Sequence, residues 1–214
     1  DSQELAFDRT PNTRNTLYTL LDTEQLTSGL EAGRHLRNIS VLEFGFSQDP
    51  YNKRVDLDEY MECLHLVRNR IAEAVDRQSG FVLGPLTHGQ QALFGLYSEG
   101  ENSSEAAVEA ALEIQALLKS LKGDPAIPHD LEFNVRMGID TGEILLSENS
   151  SGSMVVHGGP VFRAHELQLT DVDGVVISRA VVRRLRNRYQ LEDLSDSPDS
   201  SLAHRVLRKR HGVA

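Results

Sequence analysis

The sequence predicts an α+β protein with a ferredoxin-like βαββαβ core. Two long amphipathic stripes, over Asp56–Arg77 and Ser104–Leu121, alternate with short β-rich runs. Between them the run Phe81–Gly95, FVLGPLTHGQQALFG, has the form of a strand, a turn and a second strand. At 214 residues the chain can bury one sizeable core, and its 39% apolar and 25% charged residues are those of a globular protein.

The elements follow in order. Residues Asp1 to about Asn15 are polar and patternless and read as a mobile leader. From Thr16 to Leu36 the spacing of Leu17, Leu20, Leu21, Leu26, Leu30 and Leu36 suggests one or two short helices that link to an upstream module. A start at Asp1 rather than Met suggests a piece of a longer protein. Ile39–Phe46, ISVLEFGF, reads as a buried first strand.

The helix over Asp56–Arg77 would bury Leu57, Tyr60, Met61, Leu64, Val67, Ile71 and Val75 on one face, and Gly80 closes it. The second helix would bury Ala106, Ala107, Ala110, Ala111, Ile114, Leu117, Leu118 and Leu121, with Lys122-Gly123-Asp124-Pro125 as its stop. Leu131–Leu146 reads as a strand interrupted by a turn at Asp140-Thr141-Gly142, and Met154–His157 continues the sheet. Pro160 fits the first turn of a short helix reaching about Leu169. Gly174–Ser178 is a strand, Arg179–Arg188 a basic helix, SDSPDSS a loop and Leu202–Leu207 a last strand. Residues 1–36 are thus leader and linker helix, 37–208 one domain and 209–214 a charged tail.

The formal net charge of −10 argues against sequence-independent binding of nucleic acid. No run of about 20 apolar residues is present to span a bilayer, and no signal-peptide pattern opens the chain. The single cysteine, Cys63, excludes an internal disulfide and suits a reducing cytoplasm; beside Met61 and Leu64 it reads as a packed thiol. His65, His157 and His165 show no spacing that forces a metal site, and no metal or other cofactor is expected. The basic run Arg179, Arg183, Arg184, Arg186 and Arg188 reads first as a solvated helix face, with docking of an acidic partner or membrane surface as the alternative.

Several segments resemble the class III nucleotidyl cyclases. Phe81–Gly95 is similar to that family's central hairpin, and VRMGIDTGE (Val135–Glu143) to its Arg-x-Gly-Ile-His-Thr-Gly-Glu strand, with Asp140 in the His place. GGPVFRAHEL (Gly158–Leu167) matches Gly-x-x-Val-Asn-x-Ala-Ala-Arg-Leu. GVVISRAVVRRL (Gly174–Leu185), followed by YQLEDL (Tyr189–Leu194), resembles the late strand, helix and ending. The likeness covers roughly Arg37 to Arg208. The element order also fits the diguanylate cyclases, but their Gly-Gly-Asp-Glu-Phe would have to fall on His88-Gly89-Gln90-Gln91-Ala92.

The resemblance implies site positions, and this chain departs from the family at each. The hairpin-tip Asp, which holds two metal ions, falls on His88, and a single nitrogen donor is a poor match for Mg²⁺. The other metal-binding Asp falls on Gly45 or, with one deletion, on Glu43; a two-metal clamp lacks a carboxylate on either alignment. The base-reading Lys falls on Gly84, the ribose-placing Asn on Phe162 and the charge-stabilising Arg on Glu166. Phosphoryl transfer depends on electrostatic stabilisation, and a carboxylate at about 4 Å from a phosphate repels by on the order of several kcal/mol. His88 has a plainer reading as an exposed turn residue.

The expectation is therefore a catalytically inactive cyclase-like domain, a regulatory or protein-interaction module in a signalling protein. A nucleotide-binding sensor with an altered, metal-independent pocket is the alternative, and an active cyclase using Glu43 a third reading. By resemblance the partner is a second copy in a head-to-tail homodimer, with a monomer or another protein partner also open. The expected location is the cytoplasm, free or as part of a membrane-anchored protein.

Overall fold

The computed structural model describes residues 35–46, 56–83, 90–96, 102–121, 127, 135–148, 154–194 and 203–210. In chain order these form β1 (His35–Phe46), α1 (Leu57–Arg77), β2 (Gly80–Leu83), β3 (Gln90–Phe94), α2 (Ser103–Ser120), β4 (Val135–Glu148) and β5 (Met154–His157). Then follow α3 (Gly159–Gln168), β6 (Gly174–Ser178), α4 (Arg179–Arg184), β7 (Tyr189–Asp193) and β8 (Ala203–Lys209). The strands make one mixed sheet in the order β2-β3-β1-β4-β6-β8-β7, with β5 paired to β4 off that path. Its first four strands, with α1 and α2 between them in sequence, are the ferredoxin-like core.

Alternation along β1 sends Leu42 and Phe44 to one face of the sheet and Ile39, Val41 and Glu43 to the other. The first face meets α1 and α2. Asp56 caps α1 by accepting from the backbone N–H groups of Asp58 and Glu59, and Leu64, Val67, Ile71 and Val75 are buried as the periodicity predicts. Met61 departs from the predicted stripe and is exposed. The small side chains of Ala107, Ala110 and Ala111 bring α2 down on the sheet, with Val108 and Ile114 filling the core.

A cluster of buried hydroxyls lies at the start of α2. Ser40 Oγ donates to Thr141 Oγ1 at 3.0 Å, and Thr141 Oγ1 donates to the Ile39 carbonyl at 3.1 Å. Ser104 and Ser103 place their Oγ atoms 2.9 and 3.2 Å from Ser40 Oγ. Each hydroxyl taken from water thereby regains a partner.

On the second face α3 lies against β4 at two glycines. A Cβ on Gly138 would stand 2.1 Å from the Ala164 carbonyl oxygen and 2.5 Å from the Gln168 nitrogen, so helix backbone rests directly on strand backbone. Gly142, four residues further along the strand and on the same face, would meet Pro160 at 3.1 Å.

Two local expectations are corrected. Asp140-Thr141-Gly142 do not interrupt the strand: they pair in unbroken register with Val41, Ser40 and Ile39, and tertiary pairing overrides their turn-like composition. The basic helix ends at Arg184 rather than Arg188, because Arg186 and Asn187 adopt left-handed backbone, φ +48° and +61°.

Candidate functional site

Of the expected site positions, Glu43 and Gly45 lie on β1 and Phe162 and Glu166 on α3. Gly84 and His88 lie outside the described residues. Gly45 is buried on β1 opposite Arg136 of β4 and offers no side-chain donor. Glu43, two residues back, pairs with Gln91 of β3 on one side and Gly138 of β4 on the other.

The bare Gly138 is what gives Glu43 its neighbour. Because α3 descends at that glycine, His165 reaches the strand, and its Nδ1 stands 3.5 Å from Glu43 Oε1. The Glu43 side chain is only 9% exposed, and Oε2 makes no hydrogen bond among the described residues. Burial therefore pushes the Glu43 carboxyl above its ordinary range, with Gln91 and His165 pulling partly back.

The outer surface of α3 carries the other two positions. Phe162 is 75% exposed. Glu166 is 70% exposed and pairs one helical turn away with Arg163 at 3.6 Å. An exposed aromatic ring and a carboxylate thus stand at the positions that the resemblance assigns to an amide and a guanidinium. Arg163, the neighbour best placed to supply positive charge, already faces that carboxylate.

Asp140, which the resemblance sets in a His place, has defined partners. It accepts a hydrogen bond from Ser178 Oγ, which in turn accepts from the Val181 backbone N–H and caps α4. The residue ties β4 to the start of that helix.

No three His, Cys, Asp or Glu side chains among the described residues converge as metal ligands, and Glu43 stands as one carboxylate with a histidine against it. Sequence reading missed the contact of His165 with Glu43, since linear spacing holds no trace of where α3 crosses the sheet. No helix among the described residues is long and apolar enough to cross a membrane.

No family model matches the chain, and no curated protein matches it. Solved structures do. The guanylyl cyclase domain of the RhoGC fusion protein from the aquatic fungus Blastocladiella emersonii superposes with a TM-score of 0.71 at 15% identity, over 83% of this chain and 99% of that one. That domain has been solved as a monomer and also as a dimer. The guanylate cyclase domain of RhGC from Catenaria anguillulae, in complex with GTP, gives 0.71 at 15% identity, covering 84% and 100%. The adenylyl cyclase CyaB from P. aeruginosa gives 0.72 at 16% identity, covering 85% and 100%. The chain has the fold of the adenylyl and guanylyl cyclase domains.

Proposed function

We propose that this chain is a catalytically inactive cyclase-like domain, a pseudo-cyclase that serves as a regulatory or protein-interaction module in a signalling protein. The observation that carries the reading is the surface of α3. There Phe162 and Glu166 stand exposed in the places where the resemblance calls for an Asn and an Arg. A triphosphate brought to this surface meets a carboxylate where catalysis needs positive charge. Glu43, buried against His165, is a protonation-prone group rather than an open metal ligand. The module is proposed to act in the cytoplasm, through a second copy of itself or another protein.

The purified protein, incubated with ATP or GTP and Mn²⁺, is expected to yield no cyclic nucleotide above a protein-free blank. Cyclic product that persists through purification and disappears in Glu43→Ala would overturn the proposal. Nucleotide-dependent thermal stabilisation without product would move the reading to a nucleotide-binding sensor.

A further inference from the structure

Glu43 lies beneath a lightly held helix. The buried residues of α3 are Pro160, Ala164 and Leu167, and Leu167 is the one large aliphatic side chain among them. Its N-cap, Gly158, has no side chain with which to cap the first turn. On the other face α2 buries Val108, Ile114 and Leu118 together with three alanines and two serines. A helix that buries little apolar surface sits at the low end of local opening free energies. The polar contact beneath α3 therefore weighs more than it would beneath α2.

That contact sets Glu43 Oε1 3.5 Å from His165 Nδ1. The Glu43 side chain is 9% exposed and that of His165 55%, so the carboxyl is shut in while the imidazole reaches it from solvent. With one proton between them the two groups attract, whichever holds it. Either a carboxylic acid donates to a ring nitrogen, or an imidazolium faces a carboxylate. With no proton, Glu43 is a buried anion without a cation against it, and Oε2 has no partner among the described residues to make good the loss.

The other charged groups on this face are engaged elsewhere. Alternation puts Arg136 and Asp140 of β4 on the same side as Gly138, two residues before and after it. Arg136 pairs with Asp171 at 3.0 Å, and Asp140 accepts from Ser178. The residue of β3 beside Glu43 is Gln91, which is neutral, and on α3 Arg163 and Glu166 pair with each other.

We propose that α3 is a proton-coupled cover of the sheet, docked while Glu43 and His165 share a proton and opening more readily once that proton is lost. In the docked state the carboxyl holds its proton above the ordinary value of 4.5, whereas an opened, solvated carboxyl does not. Docking is therefore favoured fully below 4.5 and progressively less as pH rises through the raised value. Phe162, Glu166 and Leu169 ride on this helix or its cap, so the presentation of that surface follows pH. The regulatory consequence rests on the interaction-module reading; the proton coupling does not.

The test is hydrogen exchange of the full chain from about pH 5 to 8, corrected for the intrinsic pH dependence of amide exchange, with the α2 amides as internal reference. Protection of α3 relative to α2 should fall by up to about tenfold per pH unit until the raised value is passed. Glu43→Gln keeps the shape of the side chain and removes its proton, and should make that ratio independent of pH. His165→Gln, at an exposed position, should carry the fall to higher pH, because the imidazole favours the carboxylate form. A ratio that stays constant with pH in the parent overturns the inference. So does pH dependence that persists in Glu43→Gln, or loss of protection in α2 and α3 together. The measurement needs neither nucleotide nor partner, so cyclase activity would sink the module reading without touching this result.

Discussion

On the side of the sheet covered by α1 and α2, Ser40 is fully buried and yet surrounded by three other hydroxyls within hydrogen-bond distance. On the side covered by α3, Glu43 of the same strand is buried with one carboxyl oxygen lacking a hydrogen bond among the described residues. Around Ser40 the first face satisfies the hydroxyls that it buries. The second buries a costly group without completing its partners. A buried carboxyl whose partners are incomplete costs the fold stability. The cover differs too: two long helices on one side, and on the other a short one whose outward surface exposes Phe162 and Leu169.

The contrast can be broken by substitution. Phe44→Ala, in the core under α1 and α2, is expected to destabilise the fold by about 3–5 kcal/mol in denaturant unfolding. A loss under about 1 kcal/mol would mean that this face is not the main core. Ser40→Ala on the same face should cost about 1–3 kcal/mol, because it leaves neighbouring hydroxyls without a partner.

Glu43→Leu should have the opposite sign and a smaller size, stabilising by about 1 kcal/mol at neutral pH. Its pH dependence follows from the raised carboxyl value. The folded chain holds the Glu43 proton more tightly than the unfolded chain does, so this contribution is complete below the ordinary value of 4.5. It is lost as pH rises through the raised value. The gain of Glu43→Leu over the parent should therefore appear as pH climbs above 4.5 and shrink below it. Equal or lower stability of the variant at alkaline pH would place Glu43 among the satisfied groups and erase the contrast.

Much of the fold was open to reading from sequence because its elements are set by local periodicity and caps. The stripe Leu64, Val67, Ile71 and Val75 and the limits of β5 and β6 follow the letters directly. Where long-range pairing decides, the letters misled. Asp140-Thr141-Gly142 have turn composition but are held straight by β1 and, at Asp140, by Ser178. The ending of α4 turned on two non-glycine residues in left-handed backbone, which propensity does not foresee. Of the site, the exposure of Phe162 and Glu166 follows from their separation by one helical turn. The approach of His165 to Glu43 does not, since it exists only where a helix crosses a glycine.

That crossing at Gly138 also bears on how such a chain can vary. With the Ala164 carbonyl oxygen where a side chain would begin, this seam admits no larger residue unless the helix lifts away. The outward positions of the same helix carry no such restriction, and Phe162 and Glu166 can be exchanged there without disturbing the seam. Backbone contact thus constrains the inner side of α3 and leaves its outer side open to exchange.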